Sequence, residues 1–171
     1  MVSYINQLFG ALTIVAQVGW LAVLLIWIFR RDHKIISFFQ KNALLFSFLI
    51  VLGATLASLY YSEVVGYPPC NLCWYQRVFL YPQLILTGLA LYHKDQNIFK
   101  YLLPLSVIGG IVAVYQYLLQ LGLVSGAICG VSGGSCTQVY ISNFGYVTMV
   151  MMSFTAFLLL ASLAFVGRKK V

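Results

Sequence analysis

Charged side chains are scarce in this sequence of 171 residues: only 8% are Asp, Glu, Lys or Arg, and only three of these are acidic. A soluble domain carries about 25% charged residues, so the composition excludes a soluble globular protein. No internal repeat or low-complexity tract interrupts the chain, of which 62% is hydrophobic. The deficit of charge therefore predicts an integral membrane protein with a single domain, residues 1–171.

Several cofactor motifs are missing as well. The sequence has no haem motif, no Gly-rich dinucleotide loop and no flavin fingerprint. Its two histidines, His33 and His93, lie beside lysines at predicted helix ends, where an interfacial position is the simpler interpretation than metal ligation. The net charge of +7 does not indicate nucleic-acid binding, because the basic residues follow or precede apolar runs and are not interleaved with aromatic residues.

Five apolar runs account for most of the chain. They span residues 8–29, 43–61, 78–92, 101–123 and 146–166. Most reach the ~20 residues that a helix needs to cross a ~30 Å hydrocarbon core, whereas the third does so only if Trp74 to Arg77 continue it. The runs do not alternate, which disfavours transmembrane strands. We predict an all-α integral membrane protein: a four-helix transmembrane bundle over 43–166 with an additional N-terminal transmembrane helix over 8–29, five spans in all.

Lysine and arginine are segregated to one side of these runs. They follow runs one, three and five: Arg30, Arg31, Lys34, Lys41, Lys94, Lys100, Arg168, Lys169 and Lys170. On the other side Arg77 is the only basic residue. The positive-inside rule then places the N-terminus outside and the C-terminus in the cytoplasm. All four cysteines, Cys70, Cys73, Cys129 and Cys136, fall on the outer side, where disulfide chemistry is favoured.

Some residues inside the runs have two interpretations. Run two contains four small residues that predict close helix packing: Gly53, Ala54, Ala57 and Ser58. Gly109 and Gly110 predict a close-packing or flexing point in run four. Pro82 is either a tolerated membrane proline or the cause of a widened pocket. Gln116 and Gln120 are either hydrogen-bond partners inside the bundle or, more simply, residues where the helix leaves the hydrocarbon.

The stretch 68–77 reads Pro-Pro-Cys-Asn-Leu-Cys-Trp-Tyr-Gln-Arg. The spacing of Cys70 and Cys73 allows a disulfide to form and break with little backbone movement. At the start of a helix, the macrodipole and the free amides favour the thiolate, which is the form that attacks disulfides. Arg77 is four residues after Cys73, so both lie on one helix face. It would favour the Cys73 thiolate and face an acceptor there, although an arginine in this position can also extend to lipid headgroups.

The second pair, Cys129 and Cys136, encloses six residues rich in glycine and serine. Such a segment bends easily. The two pairs could form a zinc site, although no histidine lies on the outer side, or the second pair could be an inert structural disulfide. Neither alternative explains two pairs on the oxidising side of a protein without a soluble domain. We favour a relay, in which one pair exchanges with a soluble thiol protein and the other passes electrons to a lipid-soluble quinone.

The block from Cys70 to Arg77, preceded by Pro-Pro and opening a span, resembles the signature of the DsbB/BdbC disulfide bond formation proteins. The resemblance covers residues 43–166. It implies a four-helix bundle in the bacterial cytoplasmic membrane that reoxidises an extracytoplasmic thioredoxin-fold thiol oxidase of the DsbA/BdbD type. The electrons would pass to ubiquinone or menaquinone.

The same resemblance implies a role for each site residue. Cys70 and Cys73 would be the quinone-coupled pair, and Arg77 would support quinone binding. Cys129 would be attacked by the partner's thiolate, and Cys136 would leave and transfer to Cys70. The short second loop resembles the BdbC branch, and the first span is an addition to the family's four. A vitamin K epoxide reductase-like protein is a weaker match, because its CxxC follows the loop cysteines.

Overall fold

The computed structural model describes residues 2–29, 33–124, 136–137, 139 and 146–168. Five α-helices account for most of them: α1 (Val2–Phe29), α2 (His33–Leu59), α3 (Asn71–His93), α4 (Phe99–Gln120) and α5 (Met149–Arg168). A short π-helix, Tyr60–Val64, continues α2. The predicted all-α architecture is confirmed, and α2 begins ten residues earlier than the apolar run at residue 43 indicated.

Four helices in the described part of the chain are long and apolar enough to cross a membrane. They contain the segments Tyr4–Ile26, Ser37–Val64, Phe99–Gln120 and Met149–Arg168. The third helix, α3, is less apolar because Gln76, Arg77, Gln83 and Thr87 lie within it. It does include Trp74 to Arg77, as the third span requires. That α3 is a fifth span, and which side of the membrane each end faces, stay predictions.

Helices α2, α3, α4 and α5 form a ring in which each helix packs against two others. One buried cluster contains a residue from every member of the ring: Val51, Leu80, Ala113, Phe157 and Leu160. This arrangement is a four-helix bundle. Deep in it, the Ser106 hydroxyl donates to Gln83 Oε1 at 2.9 Å and links α4 to α3.

Helix α4 packs closely against α5 at Gly109. A Cβ atom added there would overlap the ring of Phe157, whereas one added at Gly110 would lie 3.6 Å from Phe157 Cβ, an ordinary contact. The prediction of close packing at this pair is therefore confirmed for Gly109. The small residues of α2 behave differently: Gly53 is exposed with open space around it.

We expect Gly109→Ala to destabilise the protein by about 1–3 kcal/mol, because the buried Phe157 ring must leave its position. Gly110→Ala is the matched control, since it makes the same chemical change one residue away where the methyl group fits. Thermal unfolding in detergent should show a lower transition temperature for the first variant alone. Equal transition temperatures for both variants would contradict this account of the α4–α5 contact.

Helix α1 lies outside the ring and is attached to it by polar side chains. Gln17 Nε2 donates to Thr155 Oγ1 and Trp20 Nε1 donates to Ser162 Oγ, both at 2.8 Å. Near its start, Asn6 accepts a hydrogen bond from Tyr61 in the π-helix that continues α2. The N-terminal end of α1 therefore lies at the same end of the bundle as the start of α3.

Candidate functional site

The CxxC motif is presented at the end of a tight connection between α2 and α3. Gly66 adopts φ 79°, a left-handed conformation that side chains disfavour, and the chain then continues through Pro68 and Pro69. Cys70 is in an extended conformation and caps α3: its sulfur accepts the backbone N–H of Cys73 at 3.3 Å. The N-terminal turn of α3 thus points free amides at the thiols, as the sequence predicted.

Cys70 and Cys73 are both free thiols, with their sulfurs 2.7 Å apart. Cys70 is buried, and Cys73 is partly accessible. The hydrogen bond to Cys73, followed by burial, raises the pKa of the Cys70 thiol above its ordinary value. Cys70 is therefore the member of the pair that keeps its proton, and Cys73 is the sulfur that carries the negative charge when the pair loses one proton.

Gln116 on α4 contacts both sulfurs. Its Nε2 donates to Cys70 Sγ at 3.2 Å and to Cys73 Sγ at 3.3 Å. Gln76 on α3 donates in turn to Gln116 Oε1 at 2.7 Å, and both glutamines are buried. Of the two interpretations of Gln116, the one as a hydrogen-bond partner inside the bundle is confirmed. An amide that donates to a sulfur stabilises negative charge there.

Arg77 is buried between α3 and α2, with 9% of its surface exposed. Its Nε donates to Ser58 Oγ at 2.9 Å and a terminal nitrogen donates to the Ser58 carbonyl at 3.1 Å. The guanidinium carbon also lies 5.2 Å from the centre of the Trp74 ring. The side chain is thus held inside the bundle and is not extended into a headgroup region.

A cavity of about 170 Å³ lies beside Cys73 and Arg77. Its polar lining comes from those two residues and from Ser58, Tyr61, Ser62, Tyr67, Gln76, Gln116 and Ser153. The remaining lining is apolar: Ala54, Ala57, Pro68, Pro69, Leu80, Met149, Val150, Met152 and Ala156. Apolar walls with a few convergent polar groups are typical of small-molecule sites.

The cavity explains the small residues of α2. Ala54, Ala57 and Ser58 line it, so they provide space for the cavity. Ala54 also packs against the buried cluster of the bundle, as the prediction of close helix packing requires. Pro82 has an exposed side chain and is not among the lining residues, which favours the interpretation as a tolerated membrane proline. The methionines Met149 and Met152 form part of the opposite wall.

The second cysteine pair is described only at Cys136, because Cys129 lies outside the described residues. Cys136 is disulfide-bonded and buried, with 3% of its surface exposed. It belongs to the same buried cluster as Cys70, Leu72 and Leu119. Cys136 therefore lies at the CxxC site.

Comparison with known proteins agrees with this geometry. Residues 40–167 match the family model for "Disulfide bond formation protein DsbB". A "Probable disulfide formation protein C 2" of Bacillus anthracis is 39% identical over 77% of this chain and 94% of its own length. A "Probable disulfide formation protein" of Coxiella burnetii is 42% identical over 74% of this chain and 88% of its own. The "Disulfide bond formation protein C" of Bacillus subtilis is 39% identical over 71% of this chain and 91% of its own length.

No solved structure matches the chain. The helical fold, the apolar helices and the paired thiols define a membrane protein of the disulfide-forming oxidoreductase class. The chain belongs to the DsbB family, in the group with the curated disulfide formation proteins named above. Its general role is disulfide bond formation.

Proposed function

We propose that the protein is a thiol:quinone oxidoreductase that reoxidises an extracytoplasmic thioredoxin-fold thiol oxidase. The observation that carries this proposal is the position of Cys73, which is paired with Cys70 on one side and lines an apolar cavity with Arg77 on the other. The proposal places the protein in the bacterial cytoplasmic membrane with its cysteines on the extracytoplasmic side.

The first part of the reaction is disulfide exchange. A thiolate of the partner attacks Cys129, which forms a mixed disulfide and releases Cys136 as a thiolate. Cys136 then attacks Cys70 of the oxidised CxxC and releases the Cys73 thiolate. The second thiolate of the partner attacks the mixed disulfide, which forms the partner's disulfide and releases the Cys129 thiolate. This thiolate attacks Cys136 in the Cys136–Cys70 disulfide, which restores the bond between Cys129 and Cys136 and releases Cys70 as the second reduced sulfur of the CxxC. The partner has lost two electrons and two protons, and the CxxC pair has gained them.

The burial of Cys136 with Cys70 supports the second exchange, because the two residues already belong to one cluster. The structure has Cys70 and Cys73 as free thiols while Cys136 is disulfide-bonded. This is the state that the completed exchange produces. It is also the state from which the CxxC pair gives up its electrons.

A quinone supplies an acceptor for two electrons and two protons when it is bound. The cavity suits such a group, since it combines apolar walls from α2 and α5 with polar groups beside Cys73. Cys73 presents the reducing sulfur to the cavity, and Cys70 holds the proton of the pair. The buried Arg77 guanidinium offers positive charge and N–H donors to an acceptor oxygen on which negative charge grows.

The proposal is tested with purified protein in liposomes, supplied under anaerobic conditions with a reduced thioredoxin-fold oxidase and either ubiquinone or menaquinone. We expect one quinone to be reduced for each partner disulfide formed. A partner variant whose second cysteine is replaced by serine should accumulate a mixed disulfide with Cys129 of the parent protein, and Cys129→Ser should form none. Partner oxidation that proceeds without quinone reduction would refute the assignment of the acceptor.

A further inference from the structure

Helix α1 is an addition to the family fold. The family match begins at residue 40, and the alignment with the Bacillus anthracis relative covers 94% of that protein. The unaligned 6% is far too short to contain a counterpart of α1, which has 28 residues. The activity shared by these relatives therefore does not require α1, and its contacts have to be explained within this chain.

The first turns of α1 contact a residue of the cavity wall. Tyr61, in the π-helix that continues α2, donates its hydroxyl to Asn6 Oδ1 at 3.0 Å. The ring of Phe9 lies against the Tyr61 ring, with centroids 6.0 Å apart. On its other side Tyr61 stacks on Tyr67 at 6.3 Å, and both tyrosines line the cavity. Tyr61 is thus held by α1 on one side while it bounds the cavity on the other.

The contact of α1 with Tyr61 is important because Tyr61 lies in the π-helix. A π-helical turn is uncommon and is frequent at functional sites. Here it carries Tyr61 and Ser62 into the cavity lining. Because the hydroxyl of Tyr61 donates to α1, the residue presents its ring to the cavity, and the ring position depends on α1. The deeper contacts of α1, from Gln17 and Trp20, are made to α5 and anchor the helix.

We propose that α1 determines how tightly the cavity holds its acceptor, with Asn6 and Phe9 acting as positioning residues for Tyr61. This inference rests on the proposed function, because the acceptor is the membrane quinone of that reaction. The thiol chemistry of Cys70 and Cys73 is separate from this effect of α1, since the hydrogen bonds of the two sulfurs are made to each other, to α3 and to Gln116. The effect of α1 should therefore appear in quinone affinity and not in disulfide exchange.

The experiment compares Asn6→Leu, Tyr61→Phe and their double variant with Ser162→Ala as the matched control. Ser162→Ala removes the acceptor of the Trp20 hydrogen bond, which also attaches α1 to the bundle. Ser162 is six residues beyond Ala156, the last residue of α5 in the cavity lining. Two quantities are measured in liposomes: KM for ubiquinone, and the quinone dissociation constant from quenching of tryptophan fluorescence. No tryptophan is altered in any variant.

We expect Asn6→Leu and Tyr61→Phe each to raise both constants about three- to tenfold, as the loss of one hydrogen bond allows. The maximal rate of Asn6→Leu should stay near that of the parent, since Asn6 is not among the residues that line the cavity. The double variant should show no further increase in either constant because both changes remove the same interaction. Ser162→Ala should leave both constants unchanged. Oxidation of the CxxC by a small disulfide should proceed at the parent rate in Asn6→Leu and Ser162→Ala, which shows that the bundle is intact.

Two results would overturn the inference while the proposed function stands: quinone constants unchanged in Asn6→Leu, or an equal rise in Ser162→Ala, which would mean that α1 acts only by general packing. A parent protein that neither binds nor reduces quinone would instead refute the proposed function, and with it this inference. The measurements on the parent therefore distinguish the two failures.

Discussion

Replacing Cys73 with serine is expected to abolish quinone reduction, with a loss on the order of a thousandfold or more, as is usual when the reacting group itself is removed. Cys73 is the partly accessible thiol of the pair and the only one that lines the cavity. Serine keeps the size of the side chain but cannot form a disulfide. The measurement is quinone reduction in liposomes with the reduced partner.

The fold and the cavity must be shown to survive this change. Cys73→Ser should bind quinone with nearly the parent dissociation constant, because Arg77, Ser58 and the apolar walls are unaltered. Cys70→Ser is the matched variant: it should also stop turnover, since the disulfide cannot form, yet it keeps a reactive thiol at Cys73. In protein that keeps Cys136 in its disulfide, rapid alkylation by iodoacetamide should persist in Cys70→Ser and disappear in Cys73→Ser, where the remaining thiol of the CxxC is the buried Cys70. Turnover by Cys73→Ser at the parent rate would refute the roles given to this pair.

Local patterns were sufficient to predict much of the fold and part of the site. Five apolar segments were recognisable because helix spans need continuous runs of apolar residues. Cys70, Cys73 and Arg77 could be placed together because all three lie within two turns of one helix start, where sequence spacing determines geometry. Gly109 was a candidate for close packing because a missing side chain admits a neighbouring helix.

Contacts between segments that are distant in the sequence could not be predicted from local patterns. Gln116 donates to the sulfurs of Cys70 and Cys73, which are 46 and 43 residues away in the sequence. Gln17 donates to Thr155, which is 138 residues away. A polar residue in an apolar run shows that a partner is needed, since an unpaired amide is costly there, but it does not show which partner. The small residues of α2 were ambiguous for a related reason: a missing side chain can admit a helix or leave a cavity, and only the positions of α3 and α5 decide.

The second large effect is expected for Gln116→Leu. Leucine removes the amide that donates to both sulfurs, so the Cys73 thiolate loses its donor from α4. Hydrogen bonds to charged groups are worth about 1.5–3 kcal/mol, and about 1.4 kcal/mol corresponds to a tenfold change. We therefore expect alkylation of Cys73 at pH 7 to slow about tenfold or more, and quinone reduction to fall with it.

The same substitution should also destabilise the protein, and this effect has to be separated from the first. Gln76 donates to Gln116 Oε1, so leucine leaves a buried amide without its acceptor, at a cost of about 1–3 kcal/mol. Gln76→Leu combined with Gln116→Leu removes both amides and should recover most of the lost thermal stability. If Gln116 acts on the sulfurs, the double variant will still alkylate slowly despite its recovered stability.

Gln83→Leu provides the control for removing a buried glutamine from the bundle. Gln83 is as buried as Gln116 but is ten residues beyond Cys73 on α3, or about 15 Å along the helix axis. Its contacts are to Phe79 and Ser106 and not to sulfur. It should lower stability and leave the alkylation rate of Cys73 at the parent value. Slow alkylation in Gln83→Leu, or recovery of the rate in the Gln76→Leu/Gln116→Leu variant, would show that Gln116 acts through packing alone.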